Sequence, residues 1–162
     1  MRSRGKTRQK ELHMKKAITL TILVALVIAV IPAQASTPQA ITIDSVMDTT
    51  TGTGTFEASG PAVTAGLFCP SGTAYDLETK FAGWPSGVLV NLRVEKKLVC
   101  ANGSGEIFMD IKVRALPSVA LSNWVITKGT GEYTRLHGTG KITAYRSGDL
   151  VYDYYTGKVN ID

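Results

Sequence analysis

The chain has 162 residues, 44% of them hydrophobic, and a formal charge of +5 with histidine neutral. That charge is unevenly placed. Residues 1–35 carry seven Lys and Arg against Glu11, so residues 36–162 hold eleven basic and twelve acidic side chains, a net of −1. This excludes the basic footprint that a nucleic-acid partner requires, and the same balance argues against attraction to anionic membranes.

Residues 1–35 read as a secretory signal peptide with its apolar helix. Lys15 and Lys16 open it, the run Ala17 to Ile31 is broken only by Thr19 and Thr21, and Ala33-Gln34-Ala35 supplies small residues for cleavage after Ala35. The competing reading is a retained anchor, but a spanning helix needs about 20 apolar residues and Pro32 breaks the run early. A lipoprotein would need a cysteine just after the run, and none is there. Met14 is an alternative start. The expected product is secreted or periplasmic, without membrane attachment after cleavage.

Residues 36–162 are the length of one domain, able to bury a real core without a metal. Ser36 to Ala40 is a polar lead-in. Ile41, Ile43 and Val46 suggest a first strand, Thr49 to Thr55 a Thr/Gly loop leading to a strand near Phe56, and Val63 to Cys69 a further strand ended by Pro70-Ser71-Gly72. The clearest element is a hairpin between Gly87 and Leu116. Val88, Val90, Leu92, Val94, Leu98 and Cys100 alternate with polar residues, broken by Lys96, which is the period of a strand with one buried face. Asn102-Gly103 supplies the turn, and Ile107, Met109, Ile111 and Val113 face one way on the return. Trp124 and Ile126 begin another strand. The glycine-punctuated segment 128–140 follows, then strands at Ile142 to Arg146 and Leu150 to Ile161. The frequency of Gly, Thr, Val and Tyr fits an all-β antiparallel barrel or sandwich.

Cys69 and Cys100 are the only cysteines. In an exported protein they read as one structural disulfide, worth on the order of 3.5–4 kcal/mol by loop closure. With no Cys-x-x-Cys spacing and a lone histidine, His137, in residues 36–162, no metal or other cofactor is expected. The glycines 129, 131, 138 and 140 lack the context of a phosphate loop. They read as structural, permitting chain reversal and close approach of strands. His137 has no Gly-x-Ser-x-Gly elbow to serve, so no catalytic residue is assigned. Tyr145, Arg146, Tyr152 and Tyr154, with Asp149 and Asp153 among them, form the densest polar-aromatic cluster. As a ligand site they would line a barrel mouth, with rings stacking on a ligand and Arg146 fixing an anionic group. The alternative is that these are ordinary strand tyrosines.

Gly129-Thr-Gly-Glu-Tyr-Thr-Arg-Leu-His-Gly138 between strands resembles a segment of the β-barrel superfamily that includes allene oxide cyclases and plant dirigent proteins. Small secreted bacterial proteins of unknown function are more similar, in Trp124-Val-Ile, Asp153-Tyr-Tyr-Thr-Gly157, Cys69-Pro-Ser-Gly72 and Cys100 to Gly105. The resemblance spans about 56–159 and implies a closed eight-stranded antiparallel barrel, trimeric in many plant members. No catalytic acid maps onto a numbered position. The leading expectation is therefore a non-catalytic barrel that binds a small apolar or amphipathic ligand, or an extracytoplasmic interaction module. The alternatives are a cyclase or isomerase using the barrel interior, and a structural envelope or matrix protein.

Overall fold

A computed structural model describes residues 37–82, 90–116 and 119–162. The leader assigned to residues 1–35, and Val88 at the start of the hairpin, lie outside the described residues. Eight strands close into an antiparallel barrel in which each pairs with its sequence neighbours and the last with the first. They are β1 (Gln39–Asp48), β2 (Thr53–Ser59), β3 (Ser71–Ala82), β4 (Val90–Cys100), β5 (Glu106–Leu116), β6 (Val119–Gly129), β7 (Leu136–Ser147) and β8 (Leu150–Ile161). Closure removes the exposed sheet edges that an open sandwich would leave.

The predicted alternation holds where it was clearest. In β4 and β5, Leu92, Val94, Leu98 and Cys100 share the inner face with Ile107, Met109, Ile111 and Val113, paired in register (Leu92 with Val113, Val94 with Ile111, Leu98 with Ile107). Two assignments need correction. Val63 to Cys69 is not a strand: Pro61–Thr64 is one helical turn, α1, and the chain then runs irregularly to the disulfide. Pro61 sits in the first turn, where its missing N–H costs nothing. The true third strand is β3, from Ser71 onward, where the sequence showed no strand. Its pairing with β4 shifts between Asp76 and Glu78. One extra residue changes which parity faces inward, so the inner residues are Gly72, Ala74 and Asp76 before the shift and Thr79 and Phe81 after it. No single period-two pattern survives such a switch.

The segment 128–140 is also more regular than a loop. A 3₁₀ turn covers Gly131–Tyr133, with Gly131 at φ +59°, and β7 has begun by Leu136. Gly138 and Gly140 therefore lie within a strand, and Gly129 closes β6. Gly140 pairs with Trp124 across the β6–β7 ladder. A Cβ on Gly140 would lie 2.6 Å from Trp124 Nε1 and overlap the Thr156 carbonyl oxygen, and one on Gly157 would overlap the indole. These two glycines form the bed of Trp124, which is 1% exposed and whose indole N–H donates to the carbonyls of Lys141 and Thr156.

The core fills one end of the barrel. Ile41, Ile43, Phe56, Leu98, Ile107, Met109, Trp124 and Val159 are all buried. The segment 60–70 and the 3₁₀ turn bring Phe68 and Tyr133 to the same cluster, with ring centroids of Phe68 6.4 Å from those of Phe56 and Tyr133. The disulfide Cys69–Cys100 anchors that segment to the end of β4.

Candidate functional site

Toward the opposite end, the inner face changes character. Next to the packed layer, three inward positions carry charge: Asp76 on β3, Lys96 on β4 and Asp153 on β8. Asp76 and Lys96 are register partners, whereas Asp153 reaches across the interior. Lys96 is 2% exposed and Asp153 8%. The Lys96 ammonium donates to Asp153 Oδ2 at 2.9 Å, and the Tyr155 hydroxyl donates to the same oxygen at 2.9 Å. The ammonium also lies 5.9 Å from the centroid of the Tyr155 ring. Burial, and then the charge of Asp153, hold the Tyr155 phenol well above the ordinary tyrosine range, so it stays a donor to that carboxylate.

Asp76 completes the group differently. Its Oδ1 is 3.3 Å from Lys96 Nζ, an ion-pair distance whose alignment falls short of a hydrogen bond, and that buried oxygen accepts none among the described residues. Its side chain is 31% exposed. The group thus has a sealed part, Lys96 with Asp153 and Tyr155, and a part within reach, Asp76. Ser45, register partner of Asp153, is 3% exposed, and its hydroxyl also has no hydrogen bond among the described residues.

Beyond this floor is a cavity of about 640 Å³, within the roughly 300–1,000 Å³ usual for small-molecule sites. Its walls are Met47, Leu92, Val94, Ile111, Val113 and Ile142, with Ala144 and Val151 from β7 and β8. Ser122 and Thr79 add hydroxyls, and Phe81, 70% exposed, stands at the rim. These residues are inward by the same alternation that fills the other end. The difference is size and charge: the packed end holds Trp124 and Phe56, capped by Phe68 from the segment 60–70, while the walls here are valines, isoleucines, a leucine and an alanine, too small to meet across the interior.

The structure disperses the four residues read as a ligand cluster. Arg146 lines the cavity at its rim. It donates to the Gly148 carbonyl at 2.9 Å and lies 3.9 Å from Asp149. Tyr145 and Tyr152 are cross-strand partners on the outer face, stacked with ring centroids 4.7 Å apart. Tyr154 is outward too, and 49% exposed. His137 is exposed on β7, with Nε2 2.9 Å from Asp162. The sequence pointed elsewhere than Lys96 and Asp76, yet the signal was there: Lys96 occupies a core-facing position in the best-formed strand. Among the described residues, no group of three or more His, Cys, Asp or Glu is placed to hold a metal ion, and no helix is long and apolar enough to cross a membrane.

Comparison of the chain with protein-family models, curated proteins and solved structures gives no match. The reading of the site therefore stands on its geometry.

Proposed function

We propose that this protein binds a small amphipathic molecule in the unfilled half of its barrel, without transforming it, in an oxidising compartment outside the cytosol. The observation that carries this reading is the 640 Å³ cavity with apolar walls above a charged floor. Apolar walls reward burial of an apolar body at about 25 cal/mol per Å², and a few convergent polar groups orient it. The compartment is supported by the Cys69–Cys100 disulfide and by the leader-like residues 1–35. The closed eight-stranded barrel is also the fold that likeness to the allene oxide cyclase and dirigent superfamily implies.

A catalytic reading, a cyclase or isomerase, has one observation in its favour: two carboxylates, a lysine and a tyrosine meet at the cavity floor. Three of these four groups satisfy one another under burial, which leaves Asp76 alone to exchange a proton with a bound molecule. Binding is therefore the simpler reading. The test is titration with the neutral fluorescent probe N-phenyl-1-naphthylamine. The expected result is saturable one-to-one binding with blue-shifted emission. Emission that stays that of the probe in water at saturating protein would overturn the proposal.

A further inference from the structure

We infer that the cavity selects amphiphiles whose head group is a hydrogen-bond donor, above all a protonated amine, and that Asp76 is the residue that receives it. This rests on the ligand-binding reading above and adds the chemistry of the ligand and its direction of entry. Three groups at the floor carry formal charge, two negative and one positive. The positive one is not available: Lys96 is 2% exposed and committed to Asp153, which Tyr155 also engages. Asp76 is the one member with substantial exposure: its Oδ1 is buried 3.3 Å from Lys96 Nζ, and the rest of its carboxylate side chain carries the 31% exposure toward the cavity. A molecule reaching the floor therefore meets an acceptor and a surplus negative charge inside apolar walls, where an unscreened charge acts more strongly than in water. A carboxylate head would be repelled there. An apolar tail entering first would cover Asp76 with hydrocarbon and strip its water without compensation. An ammonium or hydroxyl entering first compensates both, and leaves its alkyl body against Val94, Ile111 and Ile142.

The rim offers the opposite preference and makes the proposal discriminating. Arg146 is the cation nearest the mouth, but its Nε is engaged by Gly148 and its guanidinium is shared with Asp149 and Thr49. A fatty carboxylate bound tail-first would use Arg146, and an amine bound head-first would use Asp76.

The experiment measures displacement of N-phenyl-1-naphthylamine from the protein by decylamine, decanol and decanoate, each below its micelle concentration at pH 7. A charge-assisted hydrogen bond in a dry site is worth about tenfold or more in affinity, so decylamine is expected to bind at least about tenfold tighter than decanol, and decanoate weakest. Asp76→Asn is expected to bring decylamine to within about threefold of decanol while leaving decanol unchanged, since the amide removes the charge and keeps the shape. Circular dichroism confirms that this variant folds. If the three probes compete equally, the cavity binds amphiphiles but the head-group inference is overturned. If decanoate binds tightest and Arg146→Gln abolishes it, entry is tail-first and the inference is overturned. If neither the dye nor any decyl compound binds, the ligand-binding reading itself fails.

Discussion

Lys96 shows how one residue divides a barrel. A lysine ammonium inside a protein costs several kcal/mol in lost hydration unless its partners replace the water. Here Asp153 and Asp76 replace it, and Tyr155 satisfies the same oxygen of Asp153 that Lys96 uses. Removing the cation alone leaves the two carboxylates without their counter-charge. Lys96→Met is therefore expected to lower stability by about 3–5 kcal/mol in urea titration. The triple replacement Lys96→Met, Asp153→Leu, Tyr155→Phe removes donors and acceptor together and is expected to regain most of that loss. No recovery would mean that the network is needed for packing rather than for its charges. Tyr155 adds a pH test. Its phenol is held above the ordinary range in the folded state, so the unfolded chain releases that proton first, near pH 10. The stability it contributes is complete below that pH and is lost as pH rises toward the folded value. Tyr155→Phe should cost about 1.5–3 kcal/mol at neutral pH, and the gap to wild type should narrow above about pH 10.

Between residue and barrel stand the devices that hold the filled end. The segment 60–70 is too short of regular structure to pack on its own, with only the four-residue α1 in it. It stays in place through Phe68, which meets Phe56 and Tyr133, and through the bond from Cys69 to Cys100. Closing a loop of this length removes denatured-state entropy, and Cys69→Ser/Cys100→Ser is expected to cost about 3–4 kcal/mol. Dye binding should persist in that variant under native conditions, because the disulfide and the cavity occupy opposite ends of β4: Cys100 at one, Leu92 at the other. A variant that folds but no longer binds the dye would show that the two ends are coupled. The pairing itself was legible, since two cysteines in a chain that reads as exported default to each other. The helical turn was not. Val63 to Cys69 reads as an apolar stretch of strand length, whereas the chain turns helical at Pro61, just before it.

The barrel uses the same alternation for different ends in its two halves. Large rings close one half; small aliphatic side chains over an ion group leave the other unfilled. The cavity follows from the sum of side-chain volumes at matched heights, so it should be removable by volume alone. Ala144→Trp, at an exposed inward position beside the wall, is expected to keep the melting temperature within a few degrees, because it fills space rather than displacing packed atoms. It is also expected to abolish N-phenyl-1-naphthylamine binding. Undiminished binding would place the dye outside the barrel, with the stacked Tyr145 and Tyr152 of the outer face as the first surface to test.

Period-two patterning and the scarcity of helical signals by themselves determined the antiparallel β structure of the described residues, and the cysteine pair determined its cross-link. Those signals are local: each depends on neighbours along the chain. What the tertiary structure alone decided is which inward residues share a layer. Lys96 and Asp153 are 57 positions apart, and they meet because closure of β8 onto β1 turns the inner faces of β4 and β8 toward one interior. A strand pattern tells which way a side chain points but not what stands opposite it across the interior, and the cavity with its acidic floor is made entirely of such oppositions.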